Sequence, residues 1–373
     1  MTQRDIARMR LVNQQISCTR FHEPHQVVAA LGAMQAQDYL GGIWAIGLRL
    51  PHVTETAVEL AIAERKIIRT WPLRGTLHFV AAADIRWMIA LLAPGMIAKR
   101  AGLFRQLELN ESVLALCRKL LVKALRGNRQ LTRDALMSLL ESAKITTASL
   151  RGYHILWQLA HEGLLCIAAR EGKQQTFALL DEWVPLTLPS LERDAALAEL
   201  ALRYFCGHGP ATLRDFVWWT GLKVSDAKSA LESVSSQLSR QVLNDTAYWM
   251  PRECAALAET ARAAYLLPGF DEYLLGYRDR GAVLDPLHSE KVVPGGNGVF
   301  QPTIVINGRV TGTWKRTLNK NAVVITANPF KPLKKTEQNA FAAAAERYAR
   351  FIGLPLGCVT MAPHSSGFTS ATD

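Results

Sequence analysis

Two glutamines flank a single alanine in the segment MQAQDY, residues 34–39, directly after an apolar run with helical periodicity. A glutamine carbonyl accepts a hydrogen bond from water, but the amide does not titrate near neutral pH and cannot act as a general base. On a regular helix Gln35 and Gln37 would point about 200° apart, whereas an extended or turned segment after Met34 would place both side chains on one side. From spacing alone, ordinary surface or capping amides are the simpler interpretation.

The positively charged residues are unevenly distributed. The 373-residue chain has 43 Lys and Arg against 32 Asp and Glu, which gives a formal charge of +11. Residues 98–133 carry nine Lys or Arg with two acids, and residues 315–335 carry six with none. Runs of this kind often contact the phosphates of nucleic acid, so a polyanionic partner is predicted. A generally basic, solvated surface is the competing interpretation.

The same sequence argues against metal sites, disulfides, hydrolase motifs and nucleotide-binding loops. The six cysteines form no C-x-x-C pair and the histidines are not clustered, so we expect no metal site, no disulfide framework and a reduced, cytoplasmic setting. Neither G-x-S-x-G nor H-E-x-x-H occurs, and PGGNG at 294–298 lacks the helix and the Lys-Ser/Thr of a nucleotide loop. The cysteines are Cys18, Cys117, Cys166, Cys206, Cys254 and Cys358.

No membrane span or signal peptide is predicted. Residues 1–16 carry charges where a signal peptide needs an apolar centre, and the longest apolar stretch, WMIALLAPGMIA, is short and holds a proline. The chain also has no obvious dimerisation helix, so we expect a monomer.

The periodicity predicts an α+β fold that is mainly helical, with three tandem winged-helix motifs and a C-terminal β-rich subdomain. Helical periodicity at the start gives way to an alternating strand, LRGTLHFVAA, and the same order of helices and hairpin returns twice. LTRDAL and TLRDFV hold matching places roughly eighty residues apart, as an internal repeat would require. The predicted units are 1–110, 111–190, 191–263 and 264–373.

One helix of the second unit offers a polar face of uncertain use. Its apolar positions, beginning at Tyr153, recur at i, i+3, i+4 and i+7 and are predicted to lie in the core. A polar face of this kind either reads DNA or is simply solvated, and the sequence leaves both open. The polar positions are Arg151, His154, Gln158 and His161.

Four separated motifs give the chain a resemblance to a known family. They are LGAMQAQDY, IIRTWPLRGTLHFVAAADIRWM, LLPGFDEYLLGYRDR and NGVFQPTIVINGRVTGTWKR. In combination they resemble the AlkZ-like DNA glycosylases of the helix-turn-helix 42 superfamily, which are built from tandem winged helices. The resemblance covers nearly the whole chain. It implies an enzyme that acts on double-stranded DNA and excises alkylated purines, notably N7-alkylguanine, in some members from interstrand crosslinks or bulky adducts.

The resemblance also implies a role for the two glutamines. In this family a Q-x-Q motif is the catalytic element, and a related branch carries Q-x-D; here Gln35 and Gln37 match Q-x-Q, with Asp38 next to them. Alkylation at N7 makes the base cationic, so it departs neutral and needs little or no general acid. Fixed dipoles can stabilise the oxocarbenium-like sugar and the attacking water. We expect Gln37 to position the water and Gln35 to orient it and face the sugar, with no cofactor.

DNA contacts are predicted at two further places. Arg69, Arg74 and His78 lie in the first wing segment and are expected to contact lesion-strand phosphates, although strand-edge surface positions would look the same. Lys315 and Arg316, within the hairpins of 286–316, are expected to reach a groove.

Two alternatives remain open from the sequence. Trp314, beside Lys315, could also probe the groove, but a strand tryptophan is usually buried and core packing is favoured. For the whole protein, the main rival is a non-enzymatic tandem winged-helix DNA-binding protein, such as a transcription regulator or a damage binder, because that fold more often binds DNA than cuts bonds in it.

Overall fold

The first part of the chain is a helical unit closed by a hairpin. The computed structural model describes residues 1–186, 190–253 and 263–361. Thr2 and Asp5 form a capping box that starts the first helix, and Gly32, with a φ of 78°, ends the second and lets the chain turn into a strand. The elements are α1 Gln3–Asn13, α2 Pro24–Leu31, β1 Met34–Gln35, α3 Tyr39–Leu48, α4 Glu55–Ala63, β2 Ile67–Leu73, β3 Thr76–Ala81 and α5 Ile85–Gln106.

The next two stretches repeat the order of helices followed by a hairpin. In both, threonine side chains cap a helix, as Thr132 and Thr212 do. The second stretch contains α6 Glu111–Leu125, β4 Leu131–Thr132, α7 Arg133–Ser142, α8 Arg151–His161, β5 Leu165–Ile167, β6 Thr176–Leu179 and α9 Leu180–Trp183. The third contains α10 Arg193–His208, α11 Leu213–Thr220, α12 Val224–Val234, β7 Leu238–Leu243 and β8 Thr246–Pro251.

The C-terminal part is built on a five-stranded sheet in the order β13-β12-β11-β10-β9. Asn307 and Gly308 both have positive φ and form the tight turn between β10 and β11, as predicted. Trp314 is 2% exposed and donates its indole N–H to the Leu267 carbonyl oxygen, which confirms its place in the core. The elements are β9 Ala264–Leu267, α13 Glu272–Leu275, α14 Ser289–Val292, β10 Thr303–Ile306, β11 Arg309–Leu318, β12 Val323–Pro329, α15 Lys335–Phe351 and β13 Leu356–Met361.

The hairpins of the first two stretches join into one six-stranded sheet. Its order is β1-β3-β2-β5-β6-β4, and the pairing of Arg69 with Ile167 links β2 to β5. This sheet places β1 at its edge, next to β3. The mixed α+β class is thus confirmed, whereas the three winged-helix motifs and the bounds of the four predicted units stay predictions. Parts of the predicted units, at 187–189, 254–262 (which includes Cys254) and 362–373, lie outside the described residues.

The polar face predicted for α8 is neither a DNA-reading nor a solvated face. His154, Gln158 and His161 are buried, and Arg151, the fourth predicted member, is half-buried and donates to the Leu107 carbonyl oxygen. His154 packs edge-on against Phe104, and His161 stacks on Trp157 with ring centroids 3.7 Å apart. The prediction was wrong because α5 packs against α8 and covers its polar side.

One described helix, α5, is long and apolar enough to resemble a membrane span by composition alone. A single such helix is a weak indication, because core helices pass the same test. α5 carries Lys99 and Arg100 and packs against β2, α8 and α10.

Candidate active site

The Q-x-Q segment forms the edge of the six-stranded sheet. Gln35 lies opposite His78 in the antiparallel β1–β3 pair, and the Ala36 N–H continues the ladder by donating to the Leu77 carbonyl oxygen at 2.8 Å. α3 begins directly afterwards. The segment has therefore left the helix: Gln35 is in the strand and Gln37 lies in a bend just beyond it, so the helical geometry that would point the two side chains apart does not apply.

The two glutamines have different surroundings. Gln35 is 8% exposed, and its side-chain oxygen accepts hydrogen bonds from the backbone N–H groups of Ala36 at 2.9 Å and Gln37 at 3.1 Å. Gln37 is exposed, and its side-chain oxygen accepts a longer bond of 3.3 Å from the Leu77 N–H. Gln35 thus shapes the segment, whereas Gln37 presents its amide at the surface.

Arg69, predicted to contact a phosphate, holds the peptide between the two glutamines. Its Nε and Nη2 donate to the Ala36 carbonyl oxygen at 3.1 and 2.7 Å, and Nη1 donates to Gln175 Oε1. Burial lowers the pKa of Arg69 to about 10, so the group stays charged at neutral pH. Arg69 is 7% exposed, so its guanidinium holds the backbone of the motif from inside the fold. This corrects the prediction that Arg69 contacts a phosphate from the surface of the strand.

α3 supports the segment from the other side through an unusually close approach. A Cβ on Gly42 would lie 2.9 Å from the Phe79 ring, 3.1 Å from the Gln35 carbonyl oxygen and 3.3 Å from the Ala36 Cα. Backbone atoms cannot move aside as a flexible side chain can, so only glycine lets α3 pack this closely. The glycine-rich start of this helix is a sequence signal for such contact.

His78 is also inside the protein, which corrects its assignment as a DNA contact. It is fully buried in β3, and burial lowers its pKa to about 4, so the ring is neutral at pH 7. Nδ1 lies 2.9 Å from the Thr76 carbonyl oxygen and therefore carries the proton. Nε2 is buried with no hydrogen-bond partner among the described residues. Alternation along β3 predicted that the His78 side chain faces outward, but other parts of the fold cover it.

Glu272, which sequence reasoning did not select, lies directly beneath the motif. Its side chain is buried, and Oε1 accepts the backbone N–H of Gln35 at 2.9 Å. Oε2 accepts the indole N–H of Trp219 at 2.9 Å and lies 3.3 Å from His208 Nε2. Burial raises the pKa of this carboxyl, but His208, His78 and the Gln35 N–H outweigh that effect, so the pKa is below its usual range. The FDEY motif, which contains Glu272, was the sequence signal that could have pointed to this residue.

The remaining predicted DNA contacts lie in different parts of the fold. Arg74 occupies the tight β2–β3 turn with a φ of 52° and donates to the Trp218 carbonyl oxygen, so it borders the third stretch. Lys315 is exposed on β11, whereas Arg316 is half-buried and donates to the Tyr348 hydroxyl. The structure therefore brings Arg69 and His78 to the glutamines, and Arg74 lies near enough to His78 and Glu272 to interact electrostatically with both, whereas Lys315 and Arg316 belong to β11.

A pocket of 270 Å³ opens beside the motif, between Asp38 and the β5–β6 turn. Arg69, Arg170 and Lys173 all line this motif pocket. The guanidinium carbon of Arg170 lies 4.7 Å from the centroid of the Tyr39 ring, and Lys173 is exposed at the tip of the turn. Because Arg69 is bound to the Ala36 carbonyl oxygen and to Gln175, Arg170 and Lys173 are the cations of this pocket that favour an anionic ligand such as a DNA phosphate.

The ionisable groups beneath the motif cannot easily donate a proton. His78 is neutral and Glu272 is ionised at pH 7, so neither is a general acid there. Asp38, the remaining candidate in sequence, turns toward the start of α3, since a Cβ on Gly41 would lie 2.5 Å from its Oδ2. Within the described residues no group of three or more His, Cys, Asp or Glu side chains could hold a metal ion. The arrangement suits a reaction whose leaving group is already activated.

Comparisons with known proteins identify the family of the chain. Residues 28–351 match the family model described as DNA glycosylase AlkZ-like. A Streptomyces sahachiroi protein named interstrand DNA cross-link repair glycosylase is 26% identical over 353 residues, which cover 88% of this chain and 90% of that protein. The solved structure of Streptomyces sahachiroi DNA glycosylase AlkZ matches with a TM-score of 0.81 at 25% identity, covering 97% of this chain and 100% of that one.

The fold and the family match define a monofunctional DNA glycosylase, a hydrolase that acts on N-glycosyl bonds. The chain belongs to the AlkZ-like DNA glycosylase family.

Proposed function

We propose that this protein hydrolyses the N-glycosidic bond of N7-alkylguanine in duplex DNA, with Gln37 positioning the attacking water. One observation carries the proposal: an exposed amide lies two residues beyond the edge strand β1, while the ionisable groups His78 and Glu272 near that strand are a neutral histidine and an ionised glutamate. Without a proton donor the site favours a base that already carries a positive charge.

The reaction then needs little from the protein beyond placement and fixed dipoles. The bond between C1′ and N9 breaks, and its electron pair neutralises the cationic base as it leaves. The water oxygen bonds to C1′ and releases its proton to solvent. The Gln37 carbonyl oxygen accepts a hydrogen bond from that water and presents partial negative charge to the sugar as its positive charge develops.

The surroundings of the two glutamines refine the division of labour expected from the sequence. Both lone pairs of the Gln35 side-chain oxygen are used by backbone N–H groups. Gln35 therefore suits a shaping role, and its oxygen is poorly placed to bind water as well. Among the described residues the side chain of Gln37 has a single hydrogen bond, the 3.3 Å contact to the Leu77 N–H, which a water or a sugar can replace at small cost.

DNA binding is proposed to use two separate sets of cations. Arg170 and Lys173 in the motif pocket lie close enough to the glutamines to hold a phosphate near the lesion. Lys315 on β11 is exposed and would contact the backbone further away. Such contacts fix the register of the duplex without reading its sequence.

Crosslinked DNA is part of the proposal because of the relative's name. The Streptomyces sahachiroi protein is named for interstrand cross-link repair. The Q-x-Q segment lies at an edge of a sheet and not at the bottom of a closed cavity, which leaves space for a base that cannot be fully withdrawn from the duplex. Family membership favours this enzymatic function over the non-enzymatic DNA-binding alternative.

Release of free base tests the proposal. The protein is incubated with duplexes that contain a single N7-methylguanine, a nitrogen-mustard crosslink or a uracil, and the released base is quantified. We expect release from the first two and little from uracil, whose departure needs protonation or strong anion stabilisation. Efficient release of uracil would contradict the mechanism. Tight binding of all the duplexes with no release from any would leave the damage-binder alternative.

A further inference from the structure

Glu272 is a buried carboxylate for which the proposed hydrolysis has no direct use. It is 1% exposed, and its oxygens receive hydrogen bonds from three different parts of the chain. Keeping a charge in the interior is costly unless its lone pairs are satisfied. An apolar side chain could fill the same space. The presence of a carboxylate is therefore best explained by the groups that it binds.

The contacts of Glu272 converge on the backbone of the Q-x-Q motif. Oε1 accepts the Gln35 N–H at 2.9 Å, and Oε2 accepts the Trp219 indole N–H at 2.9 Å. His208 Nε2, 3.3 Å from Oε2, completes the set as a donor, because an ionised carboxylate can only accept. One oxygen therefore serves the motif, and the other is fixed by two aromatic side chains of the third stretch.

The surrounding packing makes the position of Glu272 rigid. Glycine at 276 is required where α13 ends against His208, because a Cβ there would lie 2.6 Å from the imidazole Cδ2. Asp271, the preceding residue, accepts two hydrogen bonds from Arg49, each 2.9 Å long and fully buried. The backbone carbonyl of Glu272 accepts from the Gln14 side chain in turn. A carboxylate held this firmly can set the position of the strand that binds to it.

We propose that Glu272 is a positioning residue for the Q-x-Q motif: its carboxylate, fixed by Trp219 and His208, holds the Gln35 N–H and thereby the register in which Gln37 is presented to the DNA. The inference rests on the proposed role of Gln37. It assigns the FDEY motif of the C-terminal part to the active site, although no atom of Glu272 touches the substrate.

Two variants separate this role from general destabilisation. Glu272→Gln keeps the shape but turns an N–H donor toward the Trp219 indole N–H, so folding can suffer. Combining it with Trp219→Phe removes that clash and leaves an amide that binds Gln35 more weakly than a carboxylate does. Trp219→Phe alone keeps the carboxylate on Gln35.

Asp84→Asn is the matched control. Asp84 is also buried, accepts a tryptophan indole N–H, from Trp87, and pairs with Arg203, but it has no contact with the motif. It therefore reports what the loss of a similar buried charge does to the fold alone.

Single-turnover excision of N7-methylguanine at saturating enzyme is measured for each variant, together with DNA affinity. Glu272→Gln with Trp219→Phe should slow the chemical step by about 10- to 100-fold, as expected for a displaced catalytic group, with affinity within roughly twofold. Trp219→Phe, which removes one of the two bonds that fix the carboxylate but keeps the carboxylate on Gln35, should slow excision less than the combined variant, and Asp84→Asn should excise at a rate close to the wild type. A folded Glu272→Gln variant, alone or combined, with the wild-type rate would overturn the proposal.

Hydrogen exchange of the backbone N–H groups in residues 34–39 supplies a readout that needs no activity. Exchange there should become at least about 10-fold faster in the combined Glu272 variant and stay unchanged in Asp84→Asn, since an amide that loses its acceptor opens more readily. Unchanged exchange at 34–39 in the combined variant would also overturn the proposal. If the wild type releases no base but exchange responds as expected, the proposed function fails while the positioning contact stands.

Discussion

Two polar clusters of this protein are candidates in the sequence for a role at the DNA, the glutamines as catalytic groups and the α8 face as a possible reader, and the fold buries one and exposes part of the other. The amide of Gln37 is exposed at the end of an edge strand, whereas His154, Gln158 and His161 on α8 are buried under α5. This difference shows that a polar face of a helix or strand can be covered by water or by another helix. The sequence of that element alone does not tell which. The first cluster should therefore govern activity and the second stability.

The largest expected effect is the loss of activity in Gln37→Ala. One preorganised polar group at a centre of developing charge contributes on the order of 10²-fold or more, so single-turnover excision of N7-methylguanine should fall by that amount. DNA affinity and thermal stability should change little, because the side chain is exposed. Gln106→Ala, another exposed glutamine, is the control. A wild-type rate in both Gln37→Ala and Gln35→Ala would remove the proposed site and redirect attention to Asp38.

The opposite behaviour is expected of His161→Ala. Loss of its stacking on Trp157 and of its bond to the Trp157 carbonyl oxygen should lower the free energy of unfolding by roughly 1 to 3 kcal/mol, measured by denaturant titration. Excision per folded molecule should stay at the wild-type level. A large drop in activity without a loss of stability would mean that the α8 face does meet DNA after all.

The same histidine makes stability depend on pH. Burial lowers its pKa to about 4, so it is neutral in the fold but takes up a proton in the unfolded chain below about pH 6.5. The stability that neutral His161 contributes is fully present above about pH 6.5. It is lost as the pH falls toward 4, by at most roughly 1.4 kcal/mol per pH unit. Denaturation curves of the wild type between pH 7 and 4.5 should show this slope, and those of His161→Ala should show less of it. Equal slopes would contradict the buried, neutral state.

A smaller loss of activity is expected of Gly42→Ala, which acts on the motif from outside it. The new methyl group would press on the Gln35 carbonyl oxygen and the Ala36 Cα, which cannot yield without moving the strand. Excision should slow by about 10-fold, measured in single turnover with saturating enzyme. Gly95→Ala, in open space on α5, is the control. An unchanged rate would show that small shifts of β1 are tolerated.

The smallest effect is expected for neutralisation of Lys315 and Arg316. Replacing both by alanine should make the dependence of log affinity on log salt shallower by about one to two released counterions. Arg316 should contribute less, because it is half-buried against Tyr348. The charge-preserving pair Lys315→Arg and Arg316→Lys should keep the wild-type slope. A salt dependence near zero for the wild-type protein would contradict the proposed phosphate contacts.

Local sequence patterns predicted the elements better than their surroundings. The 307–308 turn and the buried Trp314 followed from turn chemistry and from the usual burial of strand tryptophans, whereas the strand at Met34–Gln35 was only the condition under which both glutamines could serve one site. The burial of His78 could not be predicted from its own strand, since Glu272, whose charge acts on it, belongs to the C-terminal part of the chain. For the same reason Glu272 was missed: it is 237 residues from Gln35, and no periodicity links two such positions.

The pH dependence of excision tests the central claim most directly, namely that an amide acts on a base that is already charged. Single-turnover rates of the wild type on N7-methylguanine duplex should stay nearly flat between about pH 6 and 9, because Gln37 does not titrate, His78 stays neutral and Glu272 stays ionised. Gln37→Glu should bring in a pH dependence that the wild type lacks. A sloping limb in the wild type itself, lost on replacing Asp38, would show that a carboxylate rather than the amide carries the chemistry.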